Sequence, residues 1–155
     1  MSGSLNPQTD NCTVEKYCPN DLLSNCTTYG GFYQWDELMG YNNASGAQGL
    51  CPPAWHVPTT AEWLNLFSQY NQQSEASQAL RTILPGGFNA LLPGILLLNN
   101  SWVFNTTPLE VSFFWTSDLS GATRAMAHGL NNQTNSVSDY PSSRANGITT
   151  RCIRD

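Results

Sequence analysis

The chain has 155 residues, a net charge of −5 and only 11% charged residues, less than half the roughly 25% of an average globular domain. One lysine, Lys16, and five scattered arginines form no basic stripe, which argues against a nucleic-acid groove. No apolar run reaches the ~20 residues of a membrane helix, while 40% hydrophobic and 11% aromatic content supports a folded core over a disordered chain.

Met1-Ser2-Gly3-Ser4 reads as a cloning remnant, residues 1–14 as a polar N-terminal tail, and 15–155 as a single domain. Residues 18–29 read as a loop built on the turn formers Pro19, Asn20 and Asp21. Gly30-Gly31 opens a short helix over 32–39, with apolar residues at 32, 35, 38 and 39, and Gly40 stops it. A polar loop covers 42–49. Thr59-Thr60-Ala61-Glu62 has the pattern of a capping box, starting a helix whose buried stripe is expected at Trp63, Leu64, Phe67 and Tyr70. A weaker helix is expected over 75–83.

After Pro85-Gly86-Gly87 the pattern changes to short runs at 88–92, 95–98, 101–105, 111–117, 123–130 and 147–153, each bounded by turn formers. Asn99-Asn100 suits a hairpin turn. Helices first and antiparallel strands later predict an α+β fold, not βαβ alternation. Residues 117–122 and 131–146 read as long polar loops.

Five cysteines stand at 12, 18, 26, 51 and 152. They include no Cys-x-x-Cys, and neither His56 nor His128 lies near a cysteine pair, which argues against zinc. Several cysteines in a low-lysine chain suit an oxidising exterior and disulfides. Cys18 with Cys26 would staple a short loop, and Cys51 with Cys152 would close a long one, worth roughly 4–5 kcal/mol in the chain-entropy model. Spacing leaves the pairing open.

Five blocks together carry a family resemblance. Glu15-Lys16-Tyr17-Cys18 leads to Asn25-Cys26-Thr27-Thr28-Tyr29-Gly30-Gly31-Phe32-Tyr33-Gln34-Trp35. The most distinctive block is Gln48-Gly49-Leu50-Cys51-Pro52-Pro53-Ala54-Trp55-His56-Val57-Pro58-Thr59-Thr60-Ala61-Glu62-Trp63. Gly87-Phe88-Asn89-Ala90-Leu91, Phe114-Trp115-Thr116-Ser117 and Ala145-Asn146-Gly147-Ile148-Thr149-Thr150-Arg151-Cys152-Ile153-Arg154-Asp155 follow in order. In this order they resemble the Fibrobacter succinogenes major paralogous domain family over residues 15–155. The resemblance implies an exported or surface-attached protein of bacteria such as Bacteroidetes and Fibrobacteres. It also implies a disulfide-tied single domain of C-type lectin-like fold, related to formylglycine-generating-enzyme-like domains, in which two helices precede short antiparallel strands. The family's paired cysteines map onto Cys18, Cys26, Cys51 and Cys152; Cys12 departs from the pattern.

Catalytic chemistry finds little support in the residues. His56 with Glu62 is the one acid–base pair, and the cap already occupies Glu62. No Gly-x-Ser-x-Gly or triad pattern is present. The formylglycine-generating chemistry needs reactive cysteines late in the chain, where Cys152 stands alone with a better use as a bridge. No cofactor is implied. Calcium is the cation weighed, with Asp118, Asp139, Asn131, Asn132 and Asn135 as oxygen donors, against the plainer reading that such residues form turns. The C-type lectin sugar triplet is absent. Six N-x-S/T sequons (Asn11, Asn25, Asn43, Asn99, Asn105, Asn132) follow from the abundance of Asn, Ser and Thr.

The expected function is a non-enzymatic binding or adhesion module of a secreted or cell-surface bacterial protein. Its loops would meet a glycan or surface protein through Trp102, Asp118, Asn131, Asn132, Asn135, Asp139, Tyr140 and Arg144, because aromatic rings beside neutral polar groups suit such ligands. Trp115, in a continuous apolar run, is expected in the core. The alternatives are a structural repeat or tip module of a larger surface assembly and, less favoured, a formylglycine-generating-type enzyme.

Overall fold

The computed structural model describes residues 9–85, 87–104 and 111–155. The N-terminal tetrapeptide, the sequon Asn105 and the end of the 101–105 run lie outside the described residues. A 3-10 turn at Pro19–Asp21 precedes four helices, α1 (Leu23–Tyr29), α2 (Trp35–Met39), α3 (Thr60–Ser68) and α4 (Gln73–Arg81). The strands are β1 (Trp55–His56), β2 (Ile95–Leu96), β3 (Trp102–Val103), β4 (Val111–Gly121), β5 (Arg124–Asn131), β6 (Ser136–Ser143) and β7 (Ile153–Arg154). All strand pairs are antiparallel: β1 with β7, β2 with β3, and β4-β5-β6 in that order. The α+β class is as the sequence predicts.

The three-stranded sheet carries the core because both its faces are covered. Successive strand residues point to opposite faces, so Trp115 joins Trp35, Leu38, Val57, Ala125, Ala127 and Ile148 on one side. Phe114 joins Trp63, Leu80, Leu130 and Val137 beneath α3 and α4 on the other. The two central indoles also donate to backbone, Trp35 to the Thr116 carbonyl at 2.8 Å and Trp115 to the Tyr33 carbonyl at 2.9 Å. Trp115 is fully buried, as expected.

Several local readings change. The 18–29 stretch holds α1, whose Thr27 and Thr28 hydroxyls donate back to the Leu23 and Ser24 carbonyls; Ser, Asn and Thr bias a segment toward turns unless tertiary context holds the helix. Here the Cys18–Cys26 disulfide supplies that context. Helix α2 begins at Trp35, not residue 32, since Phe32 and Tyr33 are extended and bridge Tyr17 and Ile148. Gly40 ends it in the left-handed conformation. In α3 the inward stripe is Trp63, Leu66 and Phe67, the spacing of one helix face, and Tyr70 just past the helix end packs on the same cluster. Leu64 sits about 100° around from Trp63 and is 49% exposed.

Helix α4 starts two residues before the expected 75–83 segment and stops before the exposed Ile83. The 88–92 run forms no strand; its Ala90 N–H donates to the Leu80 carbonyl at 2.8 Å. The Asn99-Asn100 turn does join β2 to β3, with Asn100 at φ +64°. Gly94 precedes this hairpin at φ +86°, where a Cβ would lie 1.6 Å from the Val103 carbonyl oxygen.

The largest correction concerns the two polar loops. Residues 117–121 are the end of β4, and half of 131–146 is β6, leaving turns at 122–123, 132–135 and 144–145. Strand β6 is the edge of the sheet, so its outward positions are polar and it tolerates Pro141. That composition imitates a loop.

The disulfides are Cys18–Cys26 and Cys51–Cys152, and Cys12 is free and exposed. The second bridge spans 101 residues and fastens the segment before β1 to the one before β7. Replacing both Cys51 and Cys152 by Ala is expected to remove roughly 2–5 kcal/mol of stability, a fall of about 5–15 °C in Tm for a domain of this size. Calorimetry of the double variant against the wild type measures it; an unchanged Tm would show the bridge to be incidental.

Candidate functional site

Two clefts meet at Arg151. The first, about 420 Å³, is lined by Thr28, Tyr29, Gly30, Gly31, Tyr33, Leu91, Phe114 and the segment 149–151. Helix α1 delivers Thr28 and Tyr29 at its last turn, and the extended glycine pair then carries the chain along the cleft wall. A Cβ on Gly31 would lie 2.8 Å from the Tyr33 hydroxyl oxygen and 2.9 Å from the Lys16 stem, so glycine is what allows both groups to approach there. Burial raises the Tyr33 phenol above its usual pKa, keeping it a hydroxyl donor. Thr149 is held by the Trp115 N–H donating to its carbonyl at 2.9 Å.

The second cleft, about 380 Å³, is mainly apolar, with Trp63, Leu66, Phe88 and Ile153 in its lining and Glu62, Asn65 and Gln69 from α3. Arg151 lines both clefts. Its guanidinium lies 4.9 Å from the Phe88 ring centroid and donates to the Asn89 carbonyl at 3.2 Å; burial lowers its pKa without approaching neutrality at ordinary pH. Trp63 sits at the base of α3 among Phe67, Phe88, Phe114 and His128, with ring centroids 5.5–5.8 Å away.

Beside the apolar cleft His56 is clamped between two carboxylates. Its Nδ1 lies 2.7 Å from Asp155 Oδ1 and its Nε2 2.9 Å from Glu62 Oε1. Glu62 also completes the capping box: the Thr59 N–H donates to Glu62 Oε2 at 2.8 Å, and the Glu62 N–H donates to Thr59 Oγ1 at 3.2 Å. The Asp155 hydrogen bond, seconded by Glu62 and opposed by burial, raises the His56 pKa. Burial pulls Glu62 upward, but the bonds from Thr59 and His56 outweigh it and lower its pKa. His56 thus stands in an ion clamp between two carboxylates, with both imidazole nitrogens engaged. His128 is fully buried, near Asp139 at 3.1 Å, and burial lowers its pKa.

The sequence-predicted ligand residues are not gathered at one place. Trp102 is half-buried and packs edge-on against Phe32 at 5.1 Å. Tyr140 stacks on Phe113 at 4.3 Å. Asp118 accepts from the Thr60 N–H at the start of α3 and from Ser45. Asn132 and Asn135 accept from Arg81 of α4, and Asn131 accepts from Thr134 and Ser77. Asp139 faces His128. Arg144 pairs with Asp36 and covers the Trp35 ring at 4.8 Å. The oxygens weighed for calcium are thus divided among separate partners. Among the described residues no group of three or more His, Cys, Asp or Glu is arranged to hold a metal ion.

One further cluster escaped the sequence reading. Glu15 and Glu37 are only 5% and 2% exposed, share a hydrogen bond, and Tyr41 donates to Glu37. Burial, with Glu15 alongside, raises the Glu37 carboxyl pKa and favours its protonated form.

The model of the Fibrobacter succinogenes major domain matches residues 4–154. No curated protein and no solved structure matches the chain.

The His56 clamp has a pH signature. A histidine whose pKa is raised on folding adds stability that is complete below its unfolded value of about 6.5 and fades as pH rises through the folded value. His56→Gln should therefore lower the urea midpoint more at pH 5.5 than at pH 8.5. Subtracting the variant from the wild type removes the opposite slope of His128, whose lowered pKa costs stability as pH falls below about 6.5. A difference independent of pH would rule the charged clamp out. Thr59→Ala, which removes the other half of the cap, is expected to cost about 1 kcal/mol at either pH.

Proposed function

The chain belongs to the Fibrobacter succinogenes major domain family, and from that premise we propose that it is a non-enzymatic binding module of an exported or surface-attached bacterial protein, with a glycan or protein as its ligand. The observation that carries the proposal is the 420 Å³ cleft, where aromatic rings, threonine hydroxyls and one guanidinium converge on open space without a nucleophile–base pair. Convergent polar groups in a preformed cleft are the general mark of a binding site. The non-enzymatic reading is supported by the state of both histidines, one clamped at both nitrogens and one sealed among rings.

Two disulfides suit an oxidising compartment, and no helix among the described residues is long and apolar enough to cross a membrane. The finer architecture we propose is C-type lectin-like. Its support is the order of the helices before the antiparallel β4-β5-β6 sheet, and the β1–β7 pair with the Cys51–Cys152 bridge, which brings the chain's end back to its middle.

The test is a glycan array run beside a surface-protein pull-down. Wild type is expected to retain a ligand in one of them. Arg151→Ala and Tyr29→Ala should each reduce retention at least tenfold, whereas Asn132→Ala and Asp139→Asn, whose side chains serve internal contacts, should lower Tm and leave retention intact. Retention lost with the second pair and kept with the first would return the site to the 117–122 and 131–146 segments. No ligand in either assay would remove the binding reading.

A further inference from the structure

We propose that the cleft beside Arg151 recognises the carboxylate of an acidic sugar. The inference rests on the binding-module reading and adds the ligand's chemical class. Acids outnumber bases in this chain, 11 to 6, so a cleft with a cation and no carboxylate departs from the average. Its described lining residues hold none: Arg151 is the only charged side chain, and five hydroxyl side chains, Thr28, Tyr29, Tyr33, Thr149 and Thr150, accompany it. The sole lysine passes its stem beside Gly31 at the margin of the cleft.

The donors suit an anion with hydroxyls around it. Arg151 spends one nitrogen on the Asn89 carbonyl, and the planar guanidinium carries further N–H donors matched to carboxylate geometry. Stacking over Phe88 fixes the plane of the group before any ligand arrives, which reduces the ordering cost of binding. The raised pKa of the Tyr33 phenol keeps it protonated beside an anion. Tyr29 supplies ring surface for the C–H face of a pyranose, and the threonines supply adaptable hydrogen bonds. A peptide carboxylate would meet the same arginine, but its side chains ask for apolar lining. That lies in the other cleft, beyond Arg151, where Glu62 is present as well. The hydroxyl-rich wall favours the sugar.

Calorimetric titration compares uronate and sialylated oligosaccharides with their methyl esters, which keep every hydroxyl and lose the charge. The acids are expected to bind at least tenfold more tightly than the esters, with affinity falling as salt is raised. Arg151→Ala should abolish the preference, Arg151→Lys should keep part of it, and Tyr33→Phe should weaken acid binding several-fold. Because Arg151 packs on Phe88, each variant's Tm is recorded. Lys16→Gln, a change on an exposed side chain, should reduce the acid-over-ester ratio without a change in Tm. Equal binding of acid and ester would overturn the acidic-sugar assignment while leaving the binding module standing. Binding of an acidic peptide in place of every saccharide would transfer the cleft to protein ligands. Absence of any saccharide binding, with no hit in the array or pull-down, would overturn both.

Discussion

The fold depends on its last twelve residues, which bond in turn to nearly every other part of the molecule. The Arg144 carbonyl accepts from the Trp35 N–H at the start of α2, Gly147 exchanges two backbone hydrogen bonds with Leu96 of β2, and Ile148 exchanges two with Tyr33. Thr149 holds Trp115 in β4, Cys152 is bridged to Cys51, Ile153 pairs with His56, and the Asp155 N–H reaches the Ala54 carbonyl. Short elements leave many backbone groups without a ladder partner, and burying such groups unpaired is costly. The closing segment supplies those partners across the molecule. Its covalent anchor constrains the unfolded chain, so that one irregular strand can do what a larger sheet does elsewhere.

That arrangement explains which features were legible beforehand. Local patterns survive because their physics is local: the Thr59–Glu62 capping box, the Gly40 stop, the Asn99-Asn100 turn and the apolar run of β4 are all present. Leu64 was misplaced by counting hydrophobicity without the 100° step that puts Leu66 beneath the helix instead. Strand β6 was misread because half of Ser-Val-Ser-Asp-Tyr-Pro-Ser-Ser is an edge facing water, and polar edge strands look like loops. Helix α1 was hidden by the same ambiguity in Ser, Asn and Thr. The disulfide pairing was legible only through the family pattern, not from spacing.

The candidate site was the least legible part. Its walls come from the end of α1, a glycine pair, Leu91 and residues 149–151, which the closing segment brings together. No periodicity announces such a convergence. The residues first singled out instead, the Asn and Asp of the turns, are spent on the protein itself. Asn132 and Asn135 bind Arg81, and Asp118 accepts from the N–H of Thr60, as anionic oxygens do at a helix start. The only available signals lay in the blocks Tyr29-Gly30-Gly31 and Thr149-Thr150-Arg151, where small and hydroxyl residues surround an arginine.

With so few charges, the placement of each one carries weight. Arg144 neutralises Asp36 over Trp35, and His56 answers both Glu62 and Asp155. The two histidines act on stability in opposite senses. His56 favours the folded state at low pH because folding raises its pKa, and His128 disfavours it there because burial lowers its own. His128 costs stability below the ordinary histidine range near pH 6.5, and His56 gives up its contribution above it, so the two together place a stability maximum near that pH. Both shifts are structural in origin. Asp155 at the end of the chain and Glu62 at the cap of α3 hold the first ring, while Trp63 and Phe67 on the inward face of that same helix enclose the second. One nine-residue helix therefore touches both rings, and its inner stripe also forms one wall of the apolar cleft next to Arg151.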